Sequence, residues 1–489
     1  MSVAQLSHPD RLFIGGAWVE PHSGRQLELV SPDTEQVVAR VAEADETDMD
    51  LAVAAARKAF DQGPWPWLSP AERVASITRL VEALRRREPE LAAAWSLQMG
   101  GLAGMAPYLV GRGTQNLQDA VDLGGHFPFI RKVDSPAAAA AYVVHEPVGV
   151  VAAIAPWNVP YMIMAAKLGP ALLSGCTVIM KPSPETPLEA YIIAECAEEA
   201  GLPPGVINLV PAQREASDHL VCNPGVDKVT FTGSTAAGKR IGSVCGSRVA
   251  RCTLELGGKS AAIILDDFSA EDAARVLTGA ITMVSGQVCA MLTRAIVPRA
   301  RHDEVADAIA SAMRQVRIGH SDDAQAQMGP LAMQRQLERV ESYIEKGQQG
   351  GATLITGGGR PSHLNRGYFF EPTLFANVRN DMAIAREEIF GPVLSLIPCD
   401  DVDDAIRIAN DSDYGLNGSV MTHDPDAAWR VARRVRTGNM GQNGMRTDFS
   451  LPFGGYKQSG VGREGGSQGL MHYLETKTIM LDAEPAQAV

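Results

Sequence analysis

At 489 residues the chain is too long for one compact core, so two or three domains are expected. Its 45% hydrophobic and 21% charged residues mark an ordinary globular protein. With 44 basic and 57 acidic residues the formal charge is −13, which argues against a general nucleic-acid or anionic-membrane binder.

The seven cysteines are scattered, odd in number and without a CxxC pair, so neither a disulfide framework nor a structural zinc site is expected. The start, MSVAQLSHPDRLFIGG, lacks the basic opening and unbroken apolar run of a signal peptide. Residues 148–166 are apolar, but Pro156, Asn158 and Pro160 interrupt them, so a strand and a turn are expected there and not a membrane span. A cytoplasmic location is the resulting expectation.

In chain order, residues 12–45 read as short strands and turns, broken by Gly15-Gly16, Pro21, Gly24 and Ser31-Pro32. From 46 to 99 the apolar residues fall at helical spacing. Residues 137–144 read as an extended arm. Strands are then expected at 148–155, 176–181, 206–210 and 228–232, alternating with helices at 162–173, at 187–200 and from 236. A second α/β section follows, with strands at 261–265 and 295–297 and helices at 270–283, 305–316, 334–347 and 402–410. Short apolar strands alternating with helices predict parallel sheets, which take nucleotides at the carboxyl ends of their strands.

Several stretches are candidates for chemistry. Gly460-Val-Gly462-Arg-Glu-Gly465 is formally a GxGxxG, but no strand precedes it and no βαβ unit stands behind it, so it is set aside. Gly233-Ser234-Thr235 is the better phosphate candidate, because it follows strand 228–232 and opens a helix whose N–H groups face outward. A plain capped turn is its rival. Lys181 ends a strand, where it could bond a ribose or simply be a surface charge. Asn158 could donate to an oxyanion or be a turn asparagine. Glu255, between two leucines, is either exposed on one strand face or a desolvated general base. Glu388 and Phe390, in Glu-Glu-Ile-Phe-Gly-Pro, could serve a ribose hydroxyl and a flat ring. Cys289, two residues after Gly286-Gln287, is on its own either a small buried hydrophobe or a nucleophile.

Taken together these stretches resemble the aldehyde dehydrogenase superfamily over essentially the whole chain. The matching motifs are Pro156-Trp157-Asn158, Lys181-Pro182-Ser183, Phe231-Thr-Gly233-Ser234, Leu254-Glu255-Leu256-Gly-Gly-Lys259, Gly286-Gln287-x-Cys289, Glu387-Glu388-Ile-Phe390-Gly-Pro392 and Pro452-Phe453-Gly-Gly-x-Lys457, in the family's order. The resemblance implies a Rossmann-like parallel-sheet cofactor domain (1–124 and 146–256) and a second α/β catalytic domain (257–450). It also implies a small β oligomerisation arm (125–145 and 468–489). It makes Cys289 the nucleophile, Asn158 the oxyanion donor and Glu255 the base that hydrolyses a thioester, with no metal. Trp157, Lys181, Ser183, Gly233, Ser234, Glu388 and Phe390 would hold NAD, with NADP not excluded. Val159, Ala166, Met291, Leu292 and Phe453 would line the substrate channel. All five are apolar, which favours an apolar aliphatic or aromatic aldehyde, while Arg446 is the one nearby residue that could pair with a semialdehyde carboxylate. No nucleic-acid or membrane partner is implied, and a homodimer or homotetramer is.

The chain departs from the family pattern at Pro184, where a ribose-binding glutamate is common and Glu185 follows. It departs also at Val284, Ala236 and the Met291-Leu292 pair. A semialdehyde dehydrogenase, including a CoA-acylating one, and a silent binding protein of the same fold are the alternatives. Glu255 argues against the acylating branch, and the full set of roles argues against silence.

Overall fold

The run 148–155 forms the strand Val150–Ile154, buried at every residue, as a strand covered on both faces must be. In this computed structural model, which describes residues 6–486, it is central to an eight-stranded sheet. On one side it pairs in parallel with Thr177–Lys181 and then Ile207–Leu209; on the other it pairs in parallel with Lys228–Thr232 and then Arg251–Glu255. The strand order therefore reverses between Val150–Ile154 and Lys228–Thr232. A crevice at such a reversal, beyond the carboxyl ends of the strands, is where open α/β sheets take ligands. Both edges are antiparallel: Leu12–Ile14 and Ala17–Val19 at one end, Gly460–Val461 at the other.

A second sheet of seven strands has the order 353–356, 373–376, 393–399, 292–298, 260–264, 418–421, 441–442. It is parallel except for its first strand. A third, three-stranded antiparallel sheet joins Ile130–Val133, Ala140–Pro147 and Leu474–Leu481, with Tyr142 opposite Ile479. The expected arm is thus a sheet that takes its last strand from the far end of the chain. Residues 453–464, given to no domain from sequence, return to the first sheet: Gly460 pairs with Glu255, and Phe453 bridges Glu464.

The expected helices are present with shifted ends, as in His302–Arg314 and Gln334–Gln349, while Val402–Asn410 has the expected bounds. The helix Pro160–Ser174 starts on a proline, which fits a first turn whose N–H is unused, and stops at Gly175 with φ 96°. One helix, Ala106–Gly124, has no counterpart in the sequence reading, because its glycines mask its period. Gly113 has a structural use: a Cβ there would come within 2.6 Å of the Tyr161 ring, so glycine lets this helix close on Pro160–Ser174. No helix among the described residues is long and apolar enough to cross a membrane.

Candidate active site

Most of the candidates read from sequence sit at strand ends or in turns at the crevice between the two large sheets. Trp157, Asn158 and Val159 follow the carboxyl end of Val150–Ile154. Gly233 and Ser234 follow Lys228–Thr232, and Glu255 is the last residue of Arg251–Glu255. With Cys289, Glu388, Phe390 and Phe453 they line one cavity of about 290 Å³.

Cys289 is brought there by an abrupt backbone path. After the helix Ala270–Thr282, both Val284 and Ser285 are left-handed, with φ of 50° and 54°, followed by Gly286 at 74°. A β-branched residue in that region is strained, and the strain falls beside the reactive thiol. Gly286 has a further reason to be glycine, since a Cβ would lie 2.3 Å from the Gly391 carbonyl. The buried Gln287 then pins the turn: its amide donates to the Val284 carbonyl at 3.0 Å and accepts from Ala332 N–H at 3.0 Å. Its own carbonyl accepts from the Asn158 side-chain amide at 2.7 Å. Asn158 is held from behind by the Trp95 indole, which donates to the Asn158 carbonyl at 2.9 Å.

The helix after Asn158 begins without a local cap, because Val159 has no polar side chain to offer. Glu189, from the helix Leu188–Glu199, accepts from the Tyr161 N–H instead and from the Gln98 amide at 3.0 Å. Burial pushes its carboxyl up to about 8.

Glu255 is 3% exposed, and neither carboxyl oxygen has a hydrogen-bond partner. Burial first, and then the nearby Glu464, raise its pKa well above the ordinary carboxylate range, against the pull of Lys167 and Arg463. The Cys289 thiol is pushed up to about 12 by burial and by Glu388 and Glu255. Burial thus disfavours the charged form of both groups at one cavity wall.

Beneath Glu255 is an ion pair that the sequence reading missed. The Lys167 ammonium bonds the Glu464 carboxylate and the Thr232 hydroxyl (2.7 Å), with both charged residues at most 1% exposed. The available signal was a lone lysine in an otherwise apolar helix, since a buried charge needs a partner. Glu464 belongs to the Gly460–Gly465 stretch, whose first two residues form an antiparallel edge strand and which leads into the short helix Gly466–Met471.

At the other end, Glu388 accepts from Gly258 N–H at 2.9 Å, and burial pushes its carboxyl up to about 7. Phe390, with φ 62°, meets Trp157 edge-on at 5.2 Å. The N-terminus of Thr235–Ser247 opens toward this end, with the Ser234 hydroxyl accepting from Ala237 N–H at 3.3 Å.

Six expected residues lie outside the cavity lining: Ala166, Lys181, Ser183, Met291, Leu292 and Arg446. Lys181, at the end of Thr177–Lys181, is buried and its pKa lowered to about 8; the Ser183 hydroxyl bonds the Glu185 carboxylate, which pairs with Arg335 at 2.6 Å. Met291 and Leu292 do not line a substrate passage: both are at most 1% exposed and packed in the core of the second sheet. The chain passes there into the strand Leu292–Pro298, whose two faces are both covered, and neither side chain is among those that line the cavity. Arg446 is exposed and packs beside Gly441, away from the cavity. Met162, Val288 and Phe449 supply the apolar wall in place of the Met291-Leu292 pair.

A family model described as "Aldehyde dehydrogenase family" matches residues 18–479. Geranial dehydrogenase of Castellaniella defragrans is 44% identical, covering 96% of this chain and 98% of that protein. An aldehyde dehydrogenase of Mycobacterium tuberculosis, solved with NAD+, superposes with a TM-score of 0.94 at 42% identity, covering 98% of this chain and 99% of that one. A mutant of aldehyde dehydrogenase C from Pseudomonas syringae, solved with NAD+ and octanal, superposes at 0.93 with 39% identity, covering 98% of each. A match of this length and depth leaves one conclusion: the chain belongs to the aldehyde dehydrogenase family.

Proposed function

We propose that this enzyme oxidises apolar aldehydes to carboxylic acids with NAD+, using Cys289 as nucleophile, Asn158 as oxyanion donor and Glu255 as hydrolytic base. The observation that carries this reading is the unpartnered Glu255 carboxyl on the same cavity as the Cys289 thiol. Cys289 adds to the aldehyde carbon, passing its proton away as the C–S bond forms, and creates the sp³ carbon from which hydride can leave. One hydrogen of the Asn158 amide is committed to Gln287, and the other, with the Cys289 N–H, faces the new oxyanion. A nicotinamide held beside Glu388 and Phe390 would supply the hydride acceptor. Glu255 then takes a proton from the water that attacks the thioester, and the Glu464–Lys167 pair sets how readily it does so.

The residues present fit such a cofactor. A helix N-terminus with a buried, unpartnered Thr235 hydroxyl marks the pyrophosphate end. Glu388 and Phe390 mark the nicotinamide end. Lys181 and Ser183 are assigned to the adenosine ribose. The Glu185 carboxylate beside them would repel a 2′-phosphate, which supports NAD over NADP. The two relatives solved with NAD+ accord with this. The apolar Val159, Met162, Phe449 and Phe453 support an apolar substrate, as does the name of the geranial-oxidising relative.

Cys289→Ala is expected to abolish NADH formation from every accepted aldehyde. Glu255→Gln is expected to keep the first hydride transfer in a single turnover while slowing thioester hydrolysis roughly 100-fold. An unchanged hydrolysis rate in that variant would remove Glu255 from the role.

A further inference from the structure

Beside the Cys289 cavity there is a larger one, of about 790 Å³. A single helix forms a wall of both. Val159 and Met162 line the first cavity; Ala166, Pro170 and Leu173 line the second. Steps of three and four residues keep Met162, Ala166, Pro170 and Leu173 on one helix face, with Val159 just before its first turn. From 162 to 173 that face runs roughly 17 Å. Phe449 borders both cavities and stacks on Phe453 at 4.6 Å, while Ala166, one turn beyond Met162 and with only a methyl side chain, is the first residue of this helix to line the second.

The chemistry of the second cavity is one-sided. Ala120, Leu123, Phe127, Ala166 and Leu173 give it an apolar floor. Asp119, Asp122, His126 and His145 are the titratable groups on its rim, and neither lysine nor arginine lines it. One oxygen of Asp119 is buried without a partner. A carboxylate-tipped ligand would meet two acidic side chains there and, among the described residues, no lysine or arginine to pair with.

We propose that the second cavity is a subsite for the tail of the substrate, and that the substrate is an elongated, neutral aliphatic aldehyde. Its carbonyl lies at Cys289, and its hydrocarbon tail runs past Ala166 and Phe449 along the helix Pro160–Ser174. This rests on the reading of apolar-aldehyde oxidation given above and narrows it: an ω-carboxylate semialdehyde is rejected by the tail subsite. The reaction that supplies such a substrate is oxidation of a long-chain primary alcohol, and the product is the corresponding acid.

The test uses the full chain with NAD+ and straight-chain aldehydes from propanal to dodecanal, together with a decanal analogue carrying a terminal carboxylate. The kcat/KM is expected to rise about tenfold or more with chain length, mainly through KM, and to fall by a similar factor for the carboxylate analogue. Ala166→Phe puts a ring where this helix first lines the second cavity, so the decanal-to-propanal ratio of kcat/KM should drop at least about tenfold. Leu173→Trp, far from the thiol, fills the distal end and should lower the same ratio for dodecanal if Ala166→Phe fails to fold. A flat length profile, or variants that lower both substrates equally, would overturn the tail subsite while leaving apolar-aldehyde oxidation standing. Failure of the wild-type chain to oxidise any aldehyde in the series would overturn the proposed function itself.

Discussion

Glu464→Gln separates stability from reactivity, because the two should move in opposite directions. The substitution keeps the side-chain volume and removes the charge facing Lys167. That lysine is fully buried and would keep only the hydroxyls of Thr232, at 2.7 Å, and Thr230, at 3.3 Å. Breaking a buried pair from one side costs about 3–5 kcal/mol, so the urea midpoint should fall clearly. Adding Lys167→Met removes the stranded charge and should recover part of that loss. Reactivity should go the other way. After burial, Glu464 is the strongest influence raising the Glu255 pKa, while Lys167 lowers it. Without the Glu464 charge the Glu255 pKa falls, each unit corresponding to about 1.4 kcal/mol. Glu255 acts as a base only above its pKa, so the acid limb of thioester hydrolysis should move to lower pH. Linkage has the matching sign: a carboxyl whose pKa is raised on folding stabilises the fold below its unfolded value, and that stability is lost as pH rises through the folded value. Glu464→Gln should flatten that alkaline loss. Single-turnover hydrolysis from mildly acidic to mildly alkaline pH, on folded variant, gives the readout. An acid limb that stays in place or moves to higher pH would refute the coupling.

Two further outcomes are expected. Glu185→Ser removes the carboxylate paired with Arg335 and should raise the NADP+-to-NAD+ ratio of kcat/KM about tenfold or more; an unchanged ratio would place the discrimination elsewhere. We assign the sheet of Ile130–Val133, Ala140–Pro147 and Leu474–Leu481 to assembly, so light scattering should find a dimer or tetramer, and a chain ending before Leu474 should shift toward monomer; a monomeric full-length chain would contradict the assignment.

What could be read in advance was set by how local each signal is. Asn158, Gly233, Glu255 and Cys289 each belong to a short turn at a strand or helix end, where glycine and proline betray the backbone path, and all four line one cavity. Met291 and Leu292 were misplaced because nearness in sequence to Cys289 says nothing about which way a strand presents its side chains, and a strand covered on both faces hides them all. The Lys167–Glu464 pair joins residues 297 positions apart, and only the closed fold makes them neighbours. The helix Ala106–Gly124 was hidden by the very glycines that let it pack.

The pairing of Gly460 with Glu255 has a consequence for how the enzyme is made. On a ribosome the first sheet can close its parallel strands once residue 255 has emerged, and the thiol follows soon after. The carboxylate under Glu255 arrives only with residue 464, near the end of synthesis. Domains fold as they emerge, and distant pairings form last. Until then Lys167 awaits its counter-ion, and the Glu255 carboxyl lacks the charge beneath it. The charge beneath Glu255 is thus among the last contacts the growing chain can make, followed by the strand Leu474–Leu481.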